Sequence, residues 1–285
     1  MVIVRLWGGI GNQLFQYTFG EYLRNKMHQD VRYDIGSFGK SDKLRTYELS
    51  VLNNDLPIIG DIRFSKYTGI LNRFFLQLFK SSRKNKFVTT WDDNTLSFEE
   101  NNKYYFQGYW LDRKYVKELL DIHQDLYVPK VELPSQLDVV FDLIRKETIP
   151  VAIHIRRGDY FSPQNIDTLG VCDPDYFHRA ISLLKEQVSD SFRLFVFSDD
   201  LDWVKENINL PDNSVFVPNY DIAQFWYIHL MSLCKHNIIS NSTFSWWGAV
   251  LNKNTSKIVI IPDTWVLKKD TGKYEALYDE NWIRL

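Results

Sequence analysis

Two adjacent arginines close the stretch Val151-Ala-Ile-His-Ile-Arg-Arg-Gly-Asp-Tyr160. Its first half alternates apolar, β-branched residues after Pro150 and reads as a buried strand. A planar guanidinium fork at the carboxyl end of such a strand is suited to holding a phosphate. In open α/β sheets ligands also collect at that end. The competing reading is an ordinary strand end with Arg156 and Arg157 paired to carboxylates. A third reading, Arg157-Gly-Asp159 as an adhesion tripeptide, would need an exposed loop on a secreted protein.

A second chemical stretch is Ser240-Asn-Ser-Thr-Phe-Ser-Trp-Trp-Gly-Ala249. It follows an apolar run and opens a helix, so hydroxyls and unsatisfied backbone N–H groups meet where the helix dipole favours an anion. N-capping followed by a Trp246–Trp247 core contact explains the same residues. Taken together, the two stretches suggest a pyrophosphate held between Arg156 and the helix start at residues 242–244. Such bonds strengthen as a glycosyl bond to a nucleoside diphosphate breaks.

Asp173-Pro-Asp175 and Asp200-Leu-Asp202 could hold a divalent ion, but each precedes a helical pattern and reads better as a cap. No metal is therefore expected. At the other end of the chain, Val2–Leu6 reads as a strand, Trp7-Gly-Gly-Ile-Gly-Asn12 as a glycine turn, and Gln13 onward as a helix. Gly9, Gly11 and Asp34 invite a dinucleotide reading, yet the third glycine of that fingerprint would fall at Leu14. Asn12 and Gln13 suit either a hydroxylated ligand or the helix start.

These sites need elements to carry them. A βαβ unit opens the chain, with its second strand at Val31–Asp34. Residues 40–102 are hard to assign: Ile70–Phe79 reads as a helix and Lys80–Asn102 as polar loop. Tyr104–Gln107 reads as a strand, and Asp112–Leu120 and Ser135–Lys146 as helices. Trp91, Tyr109 and Trp110 could stack on sugar rings, or simply pack. Beyond residue 150, strands at 151–155, 193–197, 214–217, 237–240 and 257–261 alternate with helical stretches, the pattern of a parallel sheet.

With 285 residues, 45% of them hydrophobic, the chain can bury one large or two smaller cores. A net charge of -2 gives no global case for nucleic acid. Two distant cysteines, Cys172 and Cys234, lack metal-ligand spacing and fit a reducing compartment. Met1–Trp7 is short and broken by Arg5, unlike a signal peptide, and no stretch approaches a membrane span. A cytoplasmic protein is expected, with peripheral contact at the inner membrane face compatible.

Three motifs, at residues 8–17, 154–160 and 234–249, resemble the bacterial α-1,2-fucosyltransferases of glycosyltransferase family 11. The resemblance runs from residue 8 to residue 252, with residues 40–102 adding little. It implies an α/β, GT-B type architecture, two Rossmann-like domains facing across a cleft. The expected limits are 1–149 for an acceptor-side domain and 150–262 for a donor domain, with a tail at 263–285 packing back on the first. It also implies inverting transfer of fucose from GDP-β-L-fucose to the 2-hydroxyl of a galactose-terminated acceptor, without metal or cofactor. Arg156 would hold the β-phosphate, with His154 and Asp159 beside it as catalytic candidates, although His154 reads equally as a buried strand histidine that bonds its neighbours. Arg157, Ser198, Asp221, Asn241, Ser242, Thr243 and Phe244 would bind the donor, and Gly9, Gly11, Asn12 and Gln13 would line the cleft. Two positions depart from the family pattern: Val250 replaces a tryptophan, and Tyr227 stands where an acidic residue is common. A related transferase, an NAD(P)-dependent oxidoreductase and a non-catalytic glycan-binding protein are the rival readings.

Overall fold

A computed structural model describes residues 1–40, 42, 44–52, 55–59, 85–89, 98–99, 102–123, 125–161, 166–188, 191–267 and 274–285. The reading of Ile70–Phe79 as a helix and the possible role of Trp91 lie outside them. The chain forms two compact units, Met1–Val131 and Glu132–Leu285.

In the first unit, β1 (Val2–Arg5) leads through the glycine turn into α1 (Ile10–Lys26) and β2 (Val31–Asp34). Two-residue β3 (Ile58–Ile59), β4 (Asn85–Val88) and β5 (Lys103–Phe106) complete a parallel sheet ordered β3-β2-β1-β5-β4. β4 lies within the stretch whose polarity reads as loop; it is the edge of the sheet among the described residues, and an edge strand tolerates polar residues. Helix α2 (Arg113–Ile122) starts where the Asp112 carboxylate accepts the Lys114 N–H and buries Tyr115, Val116 and Leu119.

The second unit opens with α3 (Asp138–Lys146) and is built around β6 (Pro150–Ile155), all six residues of which are buried. A strand covered on both faces needs a continuous apolar run rather than alternation. Further along come a helical turn α4 (Ile166–Leu169), then α5 (Pro174–Val188), β7 (Arg193–Ser198), α6 (Leu201–Asn207) and β8 (Val215–Phe216). The unit closes with α7 (Phe225–Ser232), β9 (His236–Ile238), α8 (Thr243–Leu251), β10 (Val259–Ile261) and β11 (Ile283–Arg284). The sheet is parallel and ordered β11-β10-β9-β6-β7-β8.

Two domain expectations change. The boundary falls at 131/132 rather than 149/150, because the helix before β6 belongs to the second unit. The tail packs on that same unit. β11 pairs with β10, the buried Trp246 indole donates to the Leu277 carbonyl at 2.7 Å, and the Tyr278 hydroxyl donates to the carbonyls of Pro262 and Asp263. An otherwise open edge at β10 and a buried indole N–H both require partners, and the tail supplies them.

Candidate active site

Strand order decides where a ligand can sit. From β6 the chain moves outward to β7 and β8, then crosses back to β9 on the opposite side. The order therefore switches between β6 and β9, and ligands of open α/β sheets bind at the carboxyl ends of the strands at such a point. The β6 loop carries Arg156 and Arg157, and the β9 loop carries Ser240 to Ser242 into the start of α8. The two stretches that sequence chemistry singles out thus meet at the switch point of the second sheet.

Arg156 Nη1 lies 2.7 Å from Asp199 Oδ2, and its guanidinium stands 5.5 Å from the centre of the Tyr160 ring. The other Asp199 oxygen accepts the Arg157 backbone N–H at 2.9 Å. Asp199 thereby fixes the arginine turn from the end of β7. Gly158 makes room for it, since a Cβ there would meet Asp199 Oδ2. Arg157 is turned aside. Its guanidinium stacks 3.4 Å over Trp203 and pairs with Asp200 at 3.3 Å. The sequence pattern does not single out Asp199, because the neighbouring Asp-Leu-Asp reads as a helix cap. The available signal is an aspartate two residues past the strand expected at 193–197.

His154 is 4% exposed, and its Nδ1 lies 2.9 Å from the Ser240 hydroxyl. Burial first and the Arg156 charge second push the imidazole down to about 3. The enclosed, neutral ring joins β6 to the β9 loop through that contact. Of the two readings of His154, a base or a buried strand histidine bonding its neighbours, the contact with Ser240 matches the second. Asp159 falls in the short turn Gly158–Phe161, and its side chain lies outside the described part of the structure.

The Ser242 hydroxyl caps α8 by accepting the Phe244 N–H, and the Phe244 ring lies 5.3 Å from His154. Ser242, Thr243 and Phe244 thus sit beside the arginine turn. Asn241 is used differently. Its amide donates to the carbonyls of Leu169, Gly170 and Trp265, tying two loops together. That is a structural use where donor contact was expected. Tyr160 donates to the Asn241 carbonyl at 3.0 Å, closing the turn over the β9 loop. Ser198 accepts the Asp200 N–H and lies 5% exposed behind the site. Asp221 stands exposed on a neighbouring loop and is not joined to the cluster by any of these bonds. At the departing position, the Tyr227 hydroxyl accepts the Tyr220 N–H and donates to the Pro218 carbonyl, so it orders that loop in place of an acid.

Asp173 accepts the Tyr176 N–H and Asp200 the Trp203 N–H, so the first aspartate of each pair caps its helix. In the first unit Gln13 is fully buried. Its amide donates to the carbonyls of Gly8 and Thr46 and accepts the Glu48 N–H. Gln13 therefore ties the glycine turn to residues 46–48 instead of facing a ligand. Gly11 is buried within α1, while Gly9 and Asn12 remain partly accessible. Asp34 accepts the Tyr105 hydroxyl and the Gly36 N–H while 2% exposed. A carboxylate committed in this way cannot take a ribose hydroxyl, which removes the physical basis of the dinucleotide reading.

Among the described residues, no helix is long and apolar enough to cross a membrane. The sequence model of glycosyl transferase family 11 matches residues 1–285. An alpha-1,2-colitosyltransferase of Escherichia coli is 28% identical over 298 residues, covering 100% of this chain and 99% of that protein. The O-antigen biosynthesis glycosyltransferase WbnK of the same organism is 32% identical over 310 residues, covering 98% and 99%. Among solved structures, a fucosyltransferase NodZ from Bradyrhizobium aligns with a TM-score of 0.50 at 12% identity, covering 87% of this chain and 90% of that one. That likeness is one of fold: Rossmann-like α/β units of the GT-B type.

Proposed function

The chain belongs to glycosyl transferase family 11, and on that premise we propose that it transfers L-fucose from GDP-β-L-fucose to the 2-hydroxyl of a terminal β-galactoside in the cytoplasm. The observation that carries this reading is Arg156 at the end of β6, oriented by Asp199 beside the start of α8. The acceptor hydroxyl attacks the anomeric carbon from the face opposite GDP. The carbon–oxygen bond to the β-phosphate breaks with its electron pair passing to GDP, and the configuration inverts. The acceptor proton passes to a general base as the new bond forms. Negative charge grows on the phosphate as the bond lengthens. A charge-assisted bond from Arg156 and the dipole of α8 oppose it more strongly there than in the ground state. This arrangement needs no metal, since guanidinium and helix start supply the positive potential.

A second reading is favoured by the full-length similarity to a colitosyltransferase. Colitose lacks the 3-hydroxyl of fucose. A pocket that hydrogen-bonds that hydroxyl would discriminate strongly between the two donors, whereas an apolar pocket would not. The test is a transfer assay with lactose and either GDP-fucose or GDP-colitose, with and without a chelator, followed by NMR of the product. An α-1,2-fucosyl product formed in chelator is expected. The donor assignment fails if only GDP-colitose is consumed. Arg156→Ala is expected to lose at least about 100-fold in kcat with the fold intact, the scale on which electrostatic transition-state donors act. A folded variant retaining most of its rate would refute that role.

A further inference from the structure

We propose that Tyr109, backed by Trp7, is the stacking floor for the galactose ring of the acceptor; the sugar's identity rests on the function proposed above. The first sheet has its own switch point. From β1 the chain runs to β2 and β3 on one side, while β5 lies on the other with β4 beyond it. Trp7 follows β1 and Tyr109 follows β5, so both stand at the carboxyl edge where the loops diverge. Their ring centres are 5.2 Å apart with planes tilted by 55°, and the Arg5 guanidinium lies 4.3 Å from the Trp7 ring.

The backbone is bent to produce this arrangement. Trp110 has φ +53°, a left-handed conformation that an L side chain adopts only under constraint. The bend sends the Trp110 ring inward, stacked on Phe19 with centres 4.4 Å apart, and leaves Tyr109 45% exposed. Of two consecutive aromatics, one is core and the other is offered to solvent. Gly8 completes the floor with φ +76°, and a Cβ on it would come within 3.2 Å of Asn12 Nδ2 and 3.8 Å of the Tyr109 ring. Asn12 and Arg45 border the same turn, the Arg45 guanidinium lying 4.0 Å from where a Gly9 Cβ would stand. The indole nitrogen of Trp7 is buried here without a partner among the described residues.

An exposed ring beside a turn that also carries an amide and a guanidinium matches a pyranoside. In a galactopyranoside the axial 4-hydroxyl leaves a patch of C–H groups on the opposite face. That face stacks on an aromatic ring while the hydroxyls reach outward to polar groups. The equatorial 2-hydroxyl then lies at the rim of the stacked sugar, clear of the aromatic face.

The test compares wild type, Tyr109→Phe and Tyr109→Ala. Steady-state kinetics with lactose and GDP-fucose are paired with saturation-transfer NMR of methyl β-galactoside binding, which needs no turnover. Tyr109→Ala is expected to raise the acceptor KM about tenfold and to abolish the NMR signal, while Tyr109→Phe keeps both, because the ring face rather than the hydroxyl does the stacking. The KM for GDP-fucose and its acceptor-free hydrolysis should stay within about twofold of wild type in both variants, since stacking on the acceptor leaves the donor untouched. An active Tyr109→Ala enzyme with unchanged acceptor KM overturns the inference and leaves the proposed function standing. A wild type that forms no fucosyl product, yet binds the galactoside in a Tyr109-dependent way, overturns the function and leaves the subsite standing. A wild type showing no galactoside binding overturns the inference.

Discussion

Asp199→Asn tests the positioning of Arg156 most directly. One carboxylate serves two donors, Arg156 Nη1 at 2.7 Å and the Arg157 backbone N–H at 2.9 Å. An asparagine has one acceptor atom, so in either amide orientation an N–H faces another N–H. Hydrogen bonds to charged groups contribute about 1.5–3 kcal/mol. The Arg156 and Asp199 side chains are 19% and 26% exposed, so solvent offsets part of that loss. A cost of about 1–2 kcal/mol in held geometry corresponds to roughly 5- to 30-fold in kcat/KM for the donor. Initial rates at varied GDP-fucose, beside a thermal melt to establish folding, measure it. Gly158→Ala pushes on the same carboxylate from the other side and should act in the same direction. A folded Asp199→Asn enzyme keeping more than half of wild-type kcat/KM would refute the reasoning, because Arg156 would then be held by something else.

Two stability effects follow from buried groups. His154 stays neutral in the folded chain down to about pH 3, as burial and Arg156 dictate. The unfolded histidine takes up a proton below about 6.5, so the unfolded state binds more protons between those values and stability rises with pH across that window. Between pH 7.5 and 5.5 this one group should remove about 1.4 kcal/mol. Urea midpoints at the two pH values should drop further in wild type than in His154→Asn, and equal drops would contradict the assignment. Trp246→Phe strips the partner from the Leu277 carbonyl and should destabilise the protein by about 1–3 kcal/mol. A denaturation midpoint unchanged from wild type would show that the tail is not held by this bond.

Much of the fold is legible in the chain because its cues are local. β6 declares itself as a short apolar run, α1 by its glycine turn, and α5 and α6 by aspartates at their starts. Arg156 and the Ser242–Phe244 helix start are legible for the same reason, since a guanidinium after a strand and hydroxyls before a helix each carry a chemical meaning within ten residues. The edge strands are not legible. β11 contributes two residues, and its pairing with β10 depends on an open edge that no local pattern records.

The sequence by itself determined the residue types, the two parallel α/β patterns and the family. Tertiary structure decided which polar side chains stay available and which are consumed. Gln13, Asp34, His154 and Asn241 all read as ligand contacts or fingerprint residues, and all four are bonded within the fold. Their partners lie as much as 86 residues away in the chain, as His154 and Ser240 do. Tyr109 and Trp110 are chemically similar neighbours, yet one faces solvent and the other Phe19. Burial requires each polar group to find a partner and each ring a packing face. Those partners are selected only when distant segments are brought together.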